Sequence, residues 1–162
     1  MNTSADPARS RLQPMATVWR CRSVAETEAL GEALARRAQS GEVFGLSGDL
    51  GAGKTAWVRG FARGLDFKGR VHSPTFALLN LYEGGRCPIY HLDLYRLGSP
   101  AEVQSAGVEE ILTRPDGIAV VEWIERWFGT DPTPPRGVRL HRLQFTTVSE
   151  EEREIRHEPA GL

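Results

Sequence analysis

The sequence predicts an α/β fold, a three-layer α/β/α sandwich built on a mixed sheet. First, strand-like and helix-like segments alternate along most of the chain. Second, the apolar residues 43–46 lead into a glycine-rich loop and then a helical segment at 54–64, as a buried parallel strand does. Third, residues 138–147 and 152–157 have the pattern of two strands around a polar turn, which predicts a C-terminal antiparallel edge hairpin.

The first elements are a strand-like segment at 19–22 and a helix that follows a capping sequence. Ser23 and Glu26 have the S-x-x-E spacing, in which the hydroxyl and the carboxylate each satisfy a free amide at a helix start. Ala, Leu, Glu and Arg dominate the next residues, so the helix is predicted to continue to about residue 38.

The middle of the chain contains a predicted hairpin and a second helix. Residues 76–82 and 89–95 favour strands around the glycine-containing turn 83–86. Ser99 begins another capping sequence, with a proline at the first helical position, where its missing N–H does no harm. One helix is predicted from there to about Leu112.

Length and composition indicate one globular domain. The 162 residues are enough for one hydrophobic core, and we assign that domain to residues 15–162. Residues 1–14 are polar and lack the apolar stretch of a secretory signal, so a disordered tail is expected there. Cys21 and Cys87 have no metal-like spacing, which favours two free thiols in a reducing cytoplasm over a disulfide.

Charge and hydropathy argue against direct binding of RNA and against a membrane-spanning helix. The net charge is −1, from 20 Lys and Arg against 21 Asp and Glu, with no basic stripe, so any contact with RNA is expected to be indirect. The apolar runs are far shorter than the roughly 18 residues that a membrane-spanning helix needs. Nothing indicates an obligate oligomer, and a monomer is expected.

One motif carries the clearest chemistry, a complete G-x-x-x-x-G-K-[ST] between the strand at 43–46 and the helix at 54–64. In this context it predicts a P-loop, whose backbone amides cradle phosphate groups, and hence a P-loop NTPase fold. Lys54 is expected to contact the β- and γ-phosphates, and the Thr55 hydroxyl to bind Mg²⁺. The alternative is a glycine-rich turn with an incidental lysine. The motif comprises Gly48, Asp49, Leu50, Gly51, Ala52, Gly53, Lys54 and Thr55.

A P-loop needs an acidic residue at the end of a nearby apolar strand to hold magnesium. Residues 118–121 are four apolar residues followed by Glu122, which fits best. Asp93 ends a less apolar stretch and is predicted to orient a water or to bind the metal through one. A solvent-exposed acid at a strand end is the alternative for both.

The segment 71–76 lies where many P-loop enzymes have a loop that senses the γ-phosphate. Thr75 is then a candidate to contact the metal or the γ-phosphate, and a simple tight turn is an equal alternative.

His72 and His91 have no metal-like spacing and are interpreted as surface or core residues. Core packing explains Trp123, with a place beside the nucleotide as the alternative. No Asn-Lys-x-Asp run follows, so adenine is favoured over guanine.

The motifs G-D-L-G-A-G-K-T, S-P-T-F, Y-H-L-D-L-Y-R and V-E-W occur in this order, and the ordered set resembles the TsaE family, formerly called YjeE. The resemblance covers about residues 23–161. It implies a small ATPase that uses ATP and Mg²⁺ and acts with a TsaB–TsaD complex. The pathway places a threonylcarbamoyl group on the adenosine beside the anticodon, in tRNAs that read codons starting with A. Hydrolysis by such a protein is weak alone and depends on its partners.

The resemblance also implies roles for single residues. The loop 48–53 and Lys54 match the phosphate-binding positions, while Thr55 and Glu122 match the magnesium ligands. Asp93 matches the acid of the H-x-D-L-Y-R motif. Thr27 and Arg153 match positions at the family's nucleotide pocket, and residues 73–76 match its switch-like loop.

This chain departs from the family pattern at Ala56, where a second threonine usually follows G-K-T. That hydroxyl would contact the α-phosphate, so nucleotide affinity is expected to be lower by about the 0.5–1.5 kcal/mol of one neutral hydrogen bond. The expected chemistry is attack of water on the γ-phosphate, with Lys54 neutralising charge and Asp93 or Thr75 positioning the water. A small-molecule kinase and a nucleotide-switched binding module without significant turnover are the alternatives.

Overall fold

The computed structural model describes residues 15–161, and the tail predicted over residues 1–14 lies outside this range. No helix within the described range is both long and apolar enough to cross a membrane. The helices are α1 (Val24–Ala35), α2 (Lys54–Gly64), α3 (Pro100–Ser105), α4 (Glu109–Thr113) and α5 (Glu125–Phe128). The strands are β1 (Thr17–Cys21), β2 (Glu42–Ser47), β3 (Leu79–Tyr82), β4 (Ile89–Asp93), β5 (Ile118–Glu122), β6 (Arg139–Thr147) and β7 (Arg153–Glu158).

All seven strands form one mixed sheet in the order β1-β7-β6-β2-β5-β4-β3. The central strands β6, β2, β5 and β4 are mutually parallel, so their carboxyl ends meet at one edge of the sheet. The outer pairs β3–β4, β6–β7 and β1–β7 are antiparallel. The P-loop follows β2, and Glu122 ends the neighbouring strand β5, so this order brings the two together.

Two apolar clusters, one on each face of the sheet, confirm the predicted three layers. Alternate residues of a strand point to opposite faces. On β2, Phe44 packs in the cluster that contains Trp57 and Phe61 of α2, while Val43 packs in the cluster that contains Val103 of α3. The parallel core strand β5 is buried along its whole length, as its apolar sequence predicts.

Helix α2, which begins at the P-loop, is held closely against α1. A Cβ atom on Gly60 would lie only 1.8 Å from the carbonyl oxygen of Glu28, so the two backbones touch where no side chain fits. Arg63 adds a surface ion pair at 2.9 Å to Glu32. The first helix and the helix that follows the P-loop therefore form one packed layer on this face.

Several element boundaries differ from the sequence predictions. The strand predicted from residue 76 begins only at Leu79, because Leu78 has a φ of 65° and turns the chain out of extended geometry. The helix predicted from Ser99 to Leu112 is divided into α3 and α4 around Gly107, which has a φ of 75°. The predicted hairpin β6–β7 is present and antiparallel, and β1 pairs with β7 and takes the edge position itself.

Candidate functional site

The P-loop connects the end of β2 to the start of α2, at the centre of the sheet edge. Gly48 has a φ of 142°, and a Cβ atom there would lie 2.6 Å from the carbonyl oxygen of Phe145. Gly53, the N-cap of α2, has a φ of 98° and offers no side-chain cap to the helix. The first amides of α2 are thus left for a ligand, which is the usual anion site of a helix N-terminus.

Lys54 is folded back into the loop that it follows. Its Nζ donates to the carbonyl oxygens of Gly48 and Asp49, the second at 2.9 Å, and lies 4.5 Å from the centroid of the Trp123 ring. Burial lowers the pKa of Lys54, and nearby carboxylates, Glu122 foremost, oppose that shift. An ammonium group held by two carbonyls and an aromatic face can exchange these contacts for phosphate oxygens.

Thr55 and Glu122 meet directly at the mouth of the loop. The Thr55 hydroxyl donates to Oε1 of Glu122 at 3.1 Å. Glu122 is 3% exposed and is in register with Leu46 on β2 and Asp93 on β4, at the carboxyl end of the parallel strands. A hydroxyl and a carboxylate are the oxygen ligands that a hard cation such as Mg²⁺ prefers.

Asp93 holds the segment that contains Thr75. Its Oδ2 accepts a hydrogen bond from the Thr75 hydroxyl at 2.9 Å, and its Oδ1 accepts one from the Tyr95 amide at 2.9 Å. Ser73 Oγ lies 2.8 Å from Thr75 Oγ1. The switch-like loop is therefore tied to the strand end beside Glu122, so the carboxylate and the loop hydroxyls lie at one site.

A cavity of about 250 Å³ joins these groups. Trp123 and Arg59 also line it, and Trp123, whose φ is 61°, has its ring against Lys54. The site therefore fits a nucleotide phosphate with its metal. It offers an uncapped helix start, a lysine, and oxygen ligands from Thr55 and Glu122 and from Asp93 and the loop hydroxyls. Ten residues proposed from the sequence line the cavity: Leu50, Gly51, Ala52, Gly53, Lys54, Thr55, Ala56, Thr75, Asp93 and Glu122.

Thr27 and Arg153 lie beside the P-loop without lining this cavity. Arg153 Nη2 donates to the Gly51 carbonyl at 3.0 Å. A Cβ atom on Gly53 would lie 3.7 Å from both Thr27 Cγ2 and Arg153 Cγ, so both side chains flank the loop. The buried Nε of Arg153 has no hydrogen-bond partner within residues 15–161.

Sequence reasoning missed two residues of the site, Arg59, which lines the cavity, and His91. The histidine is fully buried, as one of its two interpretations required, but its Nε2 lies 3.2 Å from Oε2 of Glu122. The available signal was its spacing, since His91 and Asp93 are two apart on a strand and share a face. The pairing of β4 with β5, which brings Glu122 to that face, cannot be predicted from the residues around His91.

The fold and the site together define a P-loop protein of the nucleotide-binding α/β class. The family model described as "Threonylcarbamoyl adenosine biosynthesis protein TsaE" matches residues 21–155. This match covers most of the chain, and the chain belongs to that family.

Several relatives are similar to this chain. A Synechocystis protein named tRNA threonylcarbamoyladenosine biosynthesis protein TsaE is 46% identical over 103 residues, which is 62% of this chain and 65% of that protein. The Bacillus subtilis protein of the same name is 41% identical over 105 residues, 65% of each. The match thus spans just under two thirds of these relatives. The crystal structure of Bacillus subtilis YdiB has a TM-score of 0.73 and 31% identity, covering 91% of this chain and 87% of that one.

Proposed function

We propose that this chain is a Mg²⁺-dependent ATPase required for threonylcarbamoyladenosine modification of tRNA, acting with a TsaB–TsaD complex. The modified adenosine is the one beside the anticodon in tRNAs that read A-starting codons. The proposal treats residues 15–162 as one P-loop ATPase domain. Membership of the TsaE family supports the pathway, and the contact of Thr55 with Glu122 at the P-loop mouth is the observation that carries the chemistry.

The proposed binding mode uses groups that already converge. The loop 48–53 and the uncapped start of α2 bind the phosphates, and Lys54 leaves the carbonyls of Gly48 and Asp49 to contact the β- and γ-phosphates. Thr55 and Glu122 hold Mg²⁺, which when bound neutralises the charge that develops on the phosphoryl oxygens. Arg153, with its unpartnered Nε, and Thr27 flank the nucleotide from the other elements.

The residues around the γ-phosphate site are suited to orienting water. Asp93 is a buried carboxylate whose Oδ2 accepts from Thr75, and the carboxylate and the hydroxyl oxygen can each accept a hydrogen bond from the attacking water. Both belong to segments that reach the edge of the cavity. Because hydrolysis depends on closing this site, we expect slow turnover by the isolated protein and faster turnover with its partners.

The decisive experiment measures ADP release by the purified chain, alone and with the matching TsaB–TsaD complex, without any phosphate acceptor. Slow Mg²⁺-dependent release that the complex stimulates supports the proposal. Release only when a small-molecule acceptor is added would indicate a kinase, and tight binding without release would indicate a switch module. Turnover that the complex does not change would remove the pathway assignment.

A matched pair of variants tests the site itself. Lys54 and Lys68 are the only lysines of the chain. Lys54→Ala is expected to lower ADP release by about 10²–10³-fold, the usual cost of losing one donor to a developing oxyanion. Lys68→Ala removes the same charge from outside the cavity and is expected to leave release unchanged. Equal rates for both variants would refute the role of the P-loop.

A further inference from the structure

A buried chain of hydrogen bonds connects the Thr55–Glu122 pair to the backbone of the switch-like loop. Oε2 of Glu122 lies 3.2 Å from Nε2 of His91, and Nδ1 of His91 lies 2.9 Å from the Tyr82 hydroxyl. The Tyr82 hydroxyl lies 3.2 Å from the amide nitrogen of His72 and 2.9 Å from its carbonyl oxygen. His72 immediately precedes Ser73, so the chain reaches the loop that contains Thr75.

The sheet explains why these residues meet. His91 and Asp93 are two residues apart on β4 and therefore point to the same face. Strand β4 pairs in parallel with β5, with Asp93 opposite Glu122. On the other side, β4 pairs antiparallel with β3, which carries Tyr82. His91 is thus placed between a residue of the proposed metal site and a residue bonded to the loop.

For an imidazole with one proton, only one placement of that proton avoids directing a ring-nitrogen lone pair at the Glu122 carboxylate. Nε2–H donates to the Glu122 carboxylate, Nδ1 accepts from the Tyr82 hydroxyl, and the Tyr82 oxygen accepts from the His72 amide. The His72 carbonyl is still satisfied, because Asn80 Nδ2 donates to it at 3.0 Å. The other tautomer would place a bare Nε2 lone pair 3.2 Å from a carboxylate oxygen, which is repulsive.

The consequence concerns the orientation of Glu122. Its two carboxylate oxygens have separate partners, Oε2 facing His91 and Oε1 facing Thr55. A side chain that holds one oxygen fixes the direction of the other, as residues behind metal ligands commonly do. His91 is 0% exposed, so water does not compete for this bond.

We propose that His91 is a positioning residue: it holds Glu122 with Oε1 directed to Thr55 and the metal, and through Tyr82 it connects that carboxylate to the backbone of the switch-like loop. This inference rests on the proposed function, since it concerns the same metal site. It adds a residue that acts through Glu122 and does not touch the nucleotide.

Two substitutions at His91 distinguish the roles of its two ring nitrogens. A glutamine amide reaches the Nε2 position and can donate to Glu122, whereas an asparagine amide reaches only the Nδ1 position. We expect His91→Asn to raise the Mg²⁺ concentration for half-maximal binding about 10–100-fold, the usual effect of losing a residue behind a metal ligand. His91→Gln should change it by less than about 3-fold, within the value of one hydrogen bond.

The readout is fluorescence of the mant derivative of AMPPNP, titrated with MgCl₂ and repeated in EDTA. The metal-free affinity should be the same in wild type and both variants, because His91 does not contact the phosphates. An Mg²⁺ dependence of His91→Asn equal to that of wild type would overturn the proposal. If instead wild type itself bound the analogue without any Mg²⁺ dependence, the proposed function would fail, which keeps the two failures distinct.

A measurement on the unaltered protein guards against loss of folding in these variants. Multiple-bond ¹H–¹⁵N correlation spectra distinguish the two imidazole tautomers, and through-bond correlations to the backbone of the wild-type protein assign the His91 signals. The Nε2–H form is expected. Detection of the Nδ1–H form would contradict the hydrogen-bond chain regardless of how the variants behave.

The loop end of the chain has its own matched pair. Tyr82→Phe removes the acceptor of the His72 amide, and Tyr90→Phe removes a hydroxyl whose hydrogen-bond partner within residues 15–161 is the exposed Asp116 side chain. Hydrogen exchange with the analogue and Mg²⁺ bound should be about fivefold faster over residues 72–76 in Tyr82→Phe, for the loss of one hydrogen bond. No difference between the two variants would refute the connection to the loop.

Discussion

The hydroxyl of Thr55 donates a hydrogen bond of 3.1 Å to Oε1 of Glu122, a residue 67 positions further along the chain. The bond joins the first turn of α2 to the last residue of β5. It forms because β2 and β5 are adjacent and parallel, so the P-loop and the end of β5 lie at the same edge. The two oxygen ligands proposed for magnesium are therefore in place in the protein alone.

The first prediction concerns this pair. Thr55→Ala should raise the Mg²⁺ concentration needed for half-maximal ADP release by about 10–100-fold, because it removes an oxygen ligand and a hydrogen bond to a carboxylate. Thr55→Ser keeps the hydroxyl and is the control, with a dependence close to wild type. Rates measured from micromolar to millimolar MgCl₂ check it, and an unchanged half-point in Thr55→Ala would contradict the ligand assignment.

The second prediction concerns Ala56, which lines the cavity next to Thr55. Ala56→Thr is expected to tighten nucleotide binding by about 2–10-fold, since it supplies one neutral hydrogen bond to the α-phosphate. Ala56→Val has nearly the same shape without the hydroxyl and should show no such gain. Calorimetric titration with an ATP analogue measures both. An equal effect of the two substitutions would mean that packing, and not the hydroxyl, sets the affinity.

The third prediction concerns acid stability and a histidine pair at β6 and β7. His141 Nδ1 and His157 Nε2 are 3.1 Å apart, and the His141 ring stacks on Phe44 with centroids 4.3 Å apart. Burial, with a smaller contribution from His141, lowers the pKa of His157 from 6.5 to about 4. Burial also lowers the pKa of His141, against the attraction of Glu42.

The sign of the effect follows from proton binding. Between pH 4 and 6.5 the unfolded chain binds the His157 proton more strongly than the folded protein does, so stability is complete above about pH 6.5 and falls as the pH decreases to about 4. The loss is roughly 3 kcal/mol for this residue. The free energy of unfolding, measured with urea at several pH values across this range, should change less steeply with pH in His157→Asn than in wild type. The exposed His72, changed to Asn, is the control and should keep the wild-type slope.

The fourth prediction concerns the contact between α1 and α2. Gly60→Ala is expected to destabilise the protein by about 3 kcal/mol, at the upper end for overpacking, because the added Cβ meets the Glu28 backbone. Gly41→Ala meets no atom within 4 Å and incurs only its left-handed φ of 93°, about 1 kcal/mol. Thermal and urea denaturation compare the two. A smaller loss at Gly60 than at Gly41 would show that the helices separate without cost.

Local sequence patterns were sufficient for much of the site. The P-loop is contiguous, and Glu122 ends an apolar strand, so their positions could be predicted from short segments. The layer order also follows from the alternation of strands and helices. The contact of Glu122 with His91 could not be predicted in this way, because it depends on which strand lies beside β5 and in which register.

The boundaries that differed have local backbone causes that composition does not reveal. Leu78 takes a φ of 65°, which is unusual for leucine and ends the extended segment before β3. Gly107 takes a φ of 75° and interrupts a stretch whose other residues favour helix. At Gly107 the break agrees with the low helix propensity of glycine and its freedom at positive φ, whereas Leu78 takes its φ against the preference of leucine.

The pairing of β1 with β7 has a consequence for synthesis. Cys21 is opposite Arg153, and β1 has no other neighbour in the sheet of residues 15–161. A nascent chain on the ribosome has made β1 long before β7 emerges, so its first strand must wait without a partner while the P-loop and the central strands are already outside the exit tunnel. Once residues 153–158 are outside the tunnel, β1 can pair with β7 and join the sheet.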